Sequence, residues 1–304
     1  MKLVSCLILL YAAFSVWTFI DSSTLIADVI GQAQLHIALG GMLFALLLAL
    51  LKYRRLASAL CIVALINLGW IGYSLYNPKQ HESHHAFSLL AYNVWIENQQ
   101  HDDVIRVIRS ANADIVWLHE VSNELYHKIH KELKPSYPYL YPEYMKSKGS
   151  LLLTKMPHDI HFVAQYNYFL KHATISIENN IIDLIGVHLT SPKSDERVQD
   201  RNDQLDIVKQ YMAEHIPQER AVIVAGDFNS APWRPAFQDF MKDTQLHFGT
   251  YDILLSWPAF SLYPLMFPID HVMARQGVCI AKKTTLPSGS SDHFPVLAQV
   301  KYCN

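Results

Sequence analysis

Three stretches of this chain lack charge altogether: residues 3–20, 29–51 and 56–78 contain no Asp, Glu, Lys or Arg. Few soluble cores would hold three such runs in 304 residues. Basic excess is also missing. The 25 Lys and Arg against 27 Asp and Glu give a net charge of -2, so the chain has no electrostatic footprint for duplex nucleic acid. Among the four cysteines no Cys-x-x-Cys occurs, which removes the usual zinc-site spacing. Cys6 and Cys61 fall in apolar runs and read as small hydrophobes. For Cys279 and Cys303 the spacing leaves pairing open.

The uncharged runs are what membrane spans require. A transmembrane helix takes roughly 20 apolar residues. Residues 3–20 and 56–76 meet that length, and 35–51 meets it if the apolar "LIADVIGQAQ" extends it. Gly40 and Gly41 suit close helix packing, and Trp70, Tyr73 and Tyr76 suit an interfacial belt. The dense basic loop is "KYRR", residues 52–55, between the second and third runs. The positive-inside rule puts it in the cytoplasm, so everything after residue 78 is expected outside. A signal peptide at the first run would leave that topology unchanged. The expected organisation is a transmembrane segment over 1–78, a polar linker over 79–85 and a folded domain over 86–304. The linker histidines His81, His84 and His85 read as solvated.

From residue 86 the pattern alternates. "FSLLAYNV", "DIVWLHE", "SLLLTK", "IHFVAQY", "HATISIE", "IIDLIGVHL", "AVIVAGDF", "IDHVMA", "GVCIAKK" and "PVLAQVKY" read as strands. Amphipathic helices are predicted over "DDVIRVIRSA", "NELYHKIHKEL" and about 196–215, with a short one after "SAPW". This is a mixed α/β domain with sheets covered by helices.

Polar residues cluster where these strands end: Asn93, Glu120, His188, Asp227, Asn229, Asp270 and the Asp292–His293 pair. Unpartnered buried carboxylates cost several kcal/mol, roughly. Their convergence makes sense around a divalent cation and a phosphate. In "GDFN" a spacing of two in an extended chain puts Asp227 and Asn229 on one side.

"GDFN", "IDHV" and "SDHFPV", with "GVHLTSP" and "RNDQ" in the same order along the chain, resemble the endonuclease/exonuclease/phosphatase (DNase I-like) superfamily. The resemblance covers about 86–304. It implies a four-layer α/β/β/α sandwich, here preceded by about three transmembrane helices. It implies a metal-dependent phosphoesterase that uses Mg²⁺ or Mn²⁺ held by Glu120, Asp292 and Asn93. It further implies that His293, oriented by Asp270, meets the phosphate. Asp227 positions or deprotonates the attacking water, Asn229 holds a phosphoryl oxygen, and His188 stabilises the reacting phosphorus. Arg201 and Gln204 read as loop supports, and His271 as facing away. The family's phosphate-contacting tyrosine stays open among Tyr137, Tyr139, Tyr141 and Tyr144.

The expected function is a membrane-anchored phosphoester hydrolase acting outside the cytoplasm, with the bilayer and a lipid-linked phosphate, diphosphate or phosphodiester as partners. An extracytoplasmic nuclease and a non-catalytic binding protein are the alternatives; no protein partner is inferable. The uncharged "SWPAFSLYPLMFP" (256–268) is expected to be a loop, with Phe260, Leu262, Tyr263, Leu265, Met266 and Phe267 available for lipid.

Overall fold

The computed structural model describes residues 2–76, 82–142, 149–156, 161–166, 169–177 and 180–303. Residues 79–81 of the expected linker (with His81) and Tyr144 lie outside them. The chain forms two compact units. One contains Met1–Tyr76, Thr190–Asp206 and Ser230–Phe240, and the other contains the remainder.

The second unit is built on two sheets. The strands are β1 (Glu82–Asn93), β2 (Ile115–Val121), β3 (Tyr139–Tyr141), β4 (Gly149–Thr154), β5 (His161–Tyr166), β6 (Leu170–Ile177), β7 (Asn180–His188), β8 (Ala221–Asp227), β9 (Asp270–Arg275), β10 (Val278–Thr285) and β11 (Val296–Cys303). Six form a sheet in the order β10-β11-β1-β2-β4-β3, and five form one in the order β5-β6-β7-β8-β9. Alternation along β1 explains the layering. Leu89 and Ala91 enter a shared core with Ala173, Ile175, Leu184, Ile223 and Val272 of the other sheet. Leu90 and Tyr92 face the opposite way, into a core with α5 (His101–Ala111) and α6 (Asn123–Leu133). Helix α5 has Asp102 and Asp103 in its first turn, Arg109 in its last, and a left-handed cap at Asn112. The Ser122 hydroxyl caps α6 by accepting from the Leu125 N–H.

On the other side lies the later half of α7 (Asp195–His215), where the Tyr211 hydroxyl is 2.9 Å from His172 Nδ1. The layers are therefore helix, sheet, sheet, helix, as expected. Cys279 and Cys303 are disulfide-bonded, which closes the question their spacing left open.

The first unit holds α1 (Lys2–Ile20), α2 (Leu25–Gln32), α3 (Gln34–Leu50) and α4 (Arg54–Ser74). Among the described residues, α4 alone is long and apolar enough to cross a membrane as one straight helix. Helices α1 and α2 pass the same test only as a pair bent by 104°, and α3 is a shorter apolar helix of 17 residues. The stretch expected to extend the middle run is instead α2, a separate helix with Thr24 at its N-cap. Its Asp28 is fully buried. Arg201 donates to both Asp28 oxygens, at 2.7 and 3.1 Å, and Arg234 Nε donates at 3.3 Å. Arg201 thus supports structure, as the sequence suggested. Gln204 does too, since its amide brackets Thr190, accepting from the N–H and donating to the hydroxyl.

Candidate active site

Sheet register brings the polar strand ends together. Strands β7 and β8 are parallel with His188 opposite Asp227, and β9 runs antiparallel to β8 with Asp270 opposite Asp227. Side chains at one register position share a face, so these three form a row. In the other sheet β1 and β2 are parallel, with Asn93 opposite His119, the residue before Glu120. Ligand sites gather at such carboxyl ends of parallel strands.

Two local distortions aim the row. Glu120 sits at φ 58 where the β2–β4 register shifts between Leu118 and Val121. Such a bulge re-aims a side chain, and a left-handed glutamate in a strand is uncommon. Gly226 has φ 139, and a Cβ there would lie 2.0 Å from the Val187 carbonyl oxygen and 2.7 Å from His119 Nε2. Only glycine fits before Asp227. The placement of Asn229 differs from strand alternation. Strand β8 stops at Asp227, and Asn229 turns back at φ 49, with its N–H donating to Asp227 Oδ1 at 2.8 Å. Its side chain donates to the Leu189 carbonyl at 2.9 Å.

All eight anticipated residues meet around Asp227, which is 1% exposed. Asn93 Nδ2 donates to Asp227 Oδ2 at 3.0 Å and to Glu120 Oε1 at 3.1 Å. His188 Nε2 lies 3.3 Å from Glu120 Oε1 and 3.9 Å from Asp227 Oδ2. His293 Nδ1 is 2.8 Å from Asp270 Oδ2, which leaves Nε2 facing Asp227 Oδ2 at 3.8 Å and Asp292 Oδ1 at 4.0 Å. His271 faces elsewhere, packed between Phe228 and Phe248. Of the candidate tyrosines, Tyr137 is committed to the Ala113 carbonyl.

Charge is shared unevenly. Burial alone would raise Glu120, yet the His188 hydrogen bond and charge, with the Ile96 N–H and Asn93, hold it down at about 2. Burial and then the Asp270 charge push Asp227 up to about 6. Burial also raises Asp292. For His293 burial works downward, but Asp270 and Asp227 outweigh it and raise the imidazole to about 10. His188 is raised as well, because the Glu120 hydrogen bond overcomes its burial.

The residues present fit a divalent cation. Asp292 Oδ1 is buried without a partner, the mark of an oxygen reserved for something else. Glu120 and Asp292 are hard oxygen donors, the set Mg²⁺ and Mn²⁺ prefer. Asn93 offers its N–H to the two carboxylates and gives its oxygen to the Trp95 N–H at 3.0 Å. To serve as a ligand its amide must turn. Among the described residues, Asp227, Asp270 and His293 bring ligand-type atoms within 4.8 Å of one another.

Three contributors were not visible in the sequence. Trp257 Nε1 donates to Asp292 Oδ2 at 3.1 Å. The Ser291 hydroxyl donates to the Asn93 carbonyl and accepts from the His293 N–H. The Ser256 hydroxyl accepts from the Asp270 N–H at 3.2 Å. Hydroxyls and an indole in turns carry no spacing signal.

Residues 90–293 match the model of the Endonuclease/Exonuclease/phosphatase family, a range that contains all eight site residues. The chain belongs to this family. Members of the Endonuclease/Exonuclease/phosphatase family are divalent-metal-dependent phosphoesterases, and the chain is an enzyme of that class. The fold is similar to that of TDP2 from D. rerio complexed with single strand DNA product, at 17% identity and TM-score 0.54, covering 70% of this chain and 98% of that one. Sphingomyelinase C from Streptomyces griseocarneus is similar at 18% identity and TM-score 0.54, covering 71% and 99%. A mutant beta toxin from Staphylococcus aureus with bound magnesium ions matches at 18% and 0.53, covering 70% and 99%. No curated protein is similar enough in sequence to count as a relative.

Proposed function

We propose that the chain is a membrane-anchored phosphoester hydrolase that acts outside the cytoplasm on a lipid-linked phosphate, diphosphate or phosphodiester. The observation that carries the hydrolase reading is the convergence of two histidines and three further carboxylates on Asp227. Glu120 and Asp292, with Asn93 after its amide turns, would hold Mg²⁺ or Mn²⁺. The cation would supply Lewis-acid neutralisation of a phosphoryl oxygen. His293, fixed by Asp270 through Nδ1, directs its Nε2–H at the phosphate. Asp227 takes the proton of the attacking water, and its raised pKa suits a base working near neutrality. Asn229 orients a phosphoryl oxygen, and His188 donates toward developing negative charge.

Two features support lipid. Helices α1, α3 and α4 are apolar nearly all round, with Leu9 69% and Leu43 70% exposed. In the 256–268 loop Phe260 is 82% exposed, Leu262 74% and Leu265 59%. The expectation that Met266 joins them does not hold: it is 2% exposed, because the loop turns it into the core. The described residues do not include the Tyr263 side chain. The nuclease reading draws on the TDP2 fold likeness, but a net charge of -2 gives phosphate backbones little attraction.

The experiment is turnover by the full chain, with Mg²⁺ and after chelation, on a lipid monophosphate, a lipid diphosphate, a phosphodiester lipid and single-stranded DNA. Metal-dependent cleavage of a lipid ester supports the reading; cleavage of DNA alone overturns it. "KYRR" in the cytoplasm is tested by C-terminal fusions. Alkaline phosphatase should be active, and a dark phosphatase with bright cytoplasmic green fluorescent protein would reverse the topology.

A further inference from the structure

Within the helical unit a polar chain crosses the bundle. Asn67 is fully buried on α4. Its Nδ2 donates to the Val63 carbonyl at 2.9 Å, to Ser15 Oγ at 3.1 Å and to Tyr11 OH at 3.4 Å. Its Oδ1 therefore faces Gln34, whose Nε2 donates to it at 2.7 Å. Turning the Gln34 amide over would set two oxygens face to face, so the orientation is fixed by the network. Thr18 cannot serve the remaining oxygen, because its hydroxyl proton goes to the Ser15 carbonyl. Gln34 is 2% exposed and its Oε1 has no partner. An orphan acceptor is destabilising in a protein interior, and the membrane interior offers no water to relieve it.

Gln34 borders space. A cavity of about 220 Å³ is lined by Ser15, Thr18, Gln34 and Asn67 on its polar part and by Phe14 and Ile30 elsewhere. A second of about 220 Å³ adjoins it through Tyr11 and Ile37, and is lined by Leu7, Ile8, Gly40, Phe44 and Leu60. A Cβ at Gly40 would meet nothing within 4 Å. Together the two reach the size of small-molecule sites, with one polar end and one apolar end.

The geometry points to a lipid-binding groove in the helical unit. It takes one hydrocarbon chain along Gly40 and Phe44, and a headgroup O–H or N–H at Gln34 Oε1. The occupant is a membrane lipid whose headgroup donates hydrogen bonds. The groove is separate from the hydrolytic site, and failure to cleave any lipid ester would leave it standing.

The test uses the full chain in nanodiscs of equal dioleoylphosphatidylethanolamine and dioleoylphosphatidylcholine. These have the same chains, but only the first headgroup has N–H donors. Native mass spectrometry reads the lipid that stays bound. Wild type should retain the ethanolamine lipid at least tenfold over the choline lipid. Gln34→Leu should bring the ratio to about one. Gly40→Phe, which leaves the polar network intact, should lose the retained lipid, whereas Gly69→Phe should not, since a Cβ at Gly69 likewise meets nothing within 4 Å but lies outside the groove. Equal retention of both lipids by wild type, or identical behaviour of the two phenylalanine variants, overturns the proposal.

Discussion

Asp28 and Asp227 are both buried carboxylates, 0% and 1% exposed, and they have been treated in opposite ways. Asp28 is gripped by two arginines through both oxygens. Asp227 accepts only amide hydrogen bonds from Asn93 and Asn229, beside another carboxylate whose charge adds to its rise in pKa. Asp292 goes further, with an oxygen that has no hydrogen-bond partner among the described residues. A buried acid that is fully paired holds structure together. One left short of partners among other acids is a candidate for chemistry.

The contrast makes its largest prediction at the site. Asp227→Ala or His293→Ala should lower turnover at least ~10³-fold, since acid–base groups alone give roughly 10²–10⁴. Melting temperature should stay within a few degrees of wild type. More than a tenth of wild-type turnover in either variant would remove these residues from the chemistry.

Asp28→Ala should do the reverse. Two buried guanidinium groups lose their counter-charge, a change worth about 3–5 kcal/mol, so the yield of folded protein should fall. Recovery of Asp28→Ala at wild-type yield and melting temperature would mean the arginines find other partners.

A smaller effect separates the two through pH. In chelator-treated protein His293 is raised to about 10 against an ordinary value near 6.5. Its native state binds the proton more tightly, so this stabilisation is complete below about 6.5 and is lost as pH rises through about 10. Melting temperature should decline across that window by several degrees, and Asp270→Asn should flatten the decline. An unchanged slope in Asp270→Asn would assign it to other groups.

The smallest expected change is outside both networks. Phe260→Ser, Leu262→Ser and Leu265→Ser combined should leave melting temperature alone, because the side chains are exposed. The rate on a lipid ester in bilayers should drop about tenfold with the rate on a short-chain soluble analogue preserved, the size of a modest loss of buried apolar area. Equal loss on both substrates would make the loop part of the catalytic scaffold rather than a lipid contact.

The strands of the catalytic unit were legible because period-two alternation and apolar runs are local signals. So were the site residues, since each polar group interrupts such a run. The three-residue β3 was too short to register. The turn that carries Asn229 is fixed by φ and one hydrogen bond, neither of which spacing encodes. Asp28 was read as part of an apolar extension of the middle run because its partners lie 173 and 206 residues away. Pairings at that distance leave no periodic trace. The same holds for Trp257 on Asp292, 35 residues apart.

The row of His188, Asp227 and Asp270 has a consequence for how the enzyme matures. Three candidate site residues on three strands share one register line. Slippage of β8 by one residue would present Gly226 or Phe228 in place of Asp227 and flip the face. A chain with β8 out of register therefore lacks the assembled row, so turnover would report that the second sheet has closed correctly.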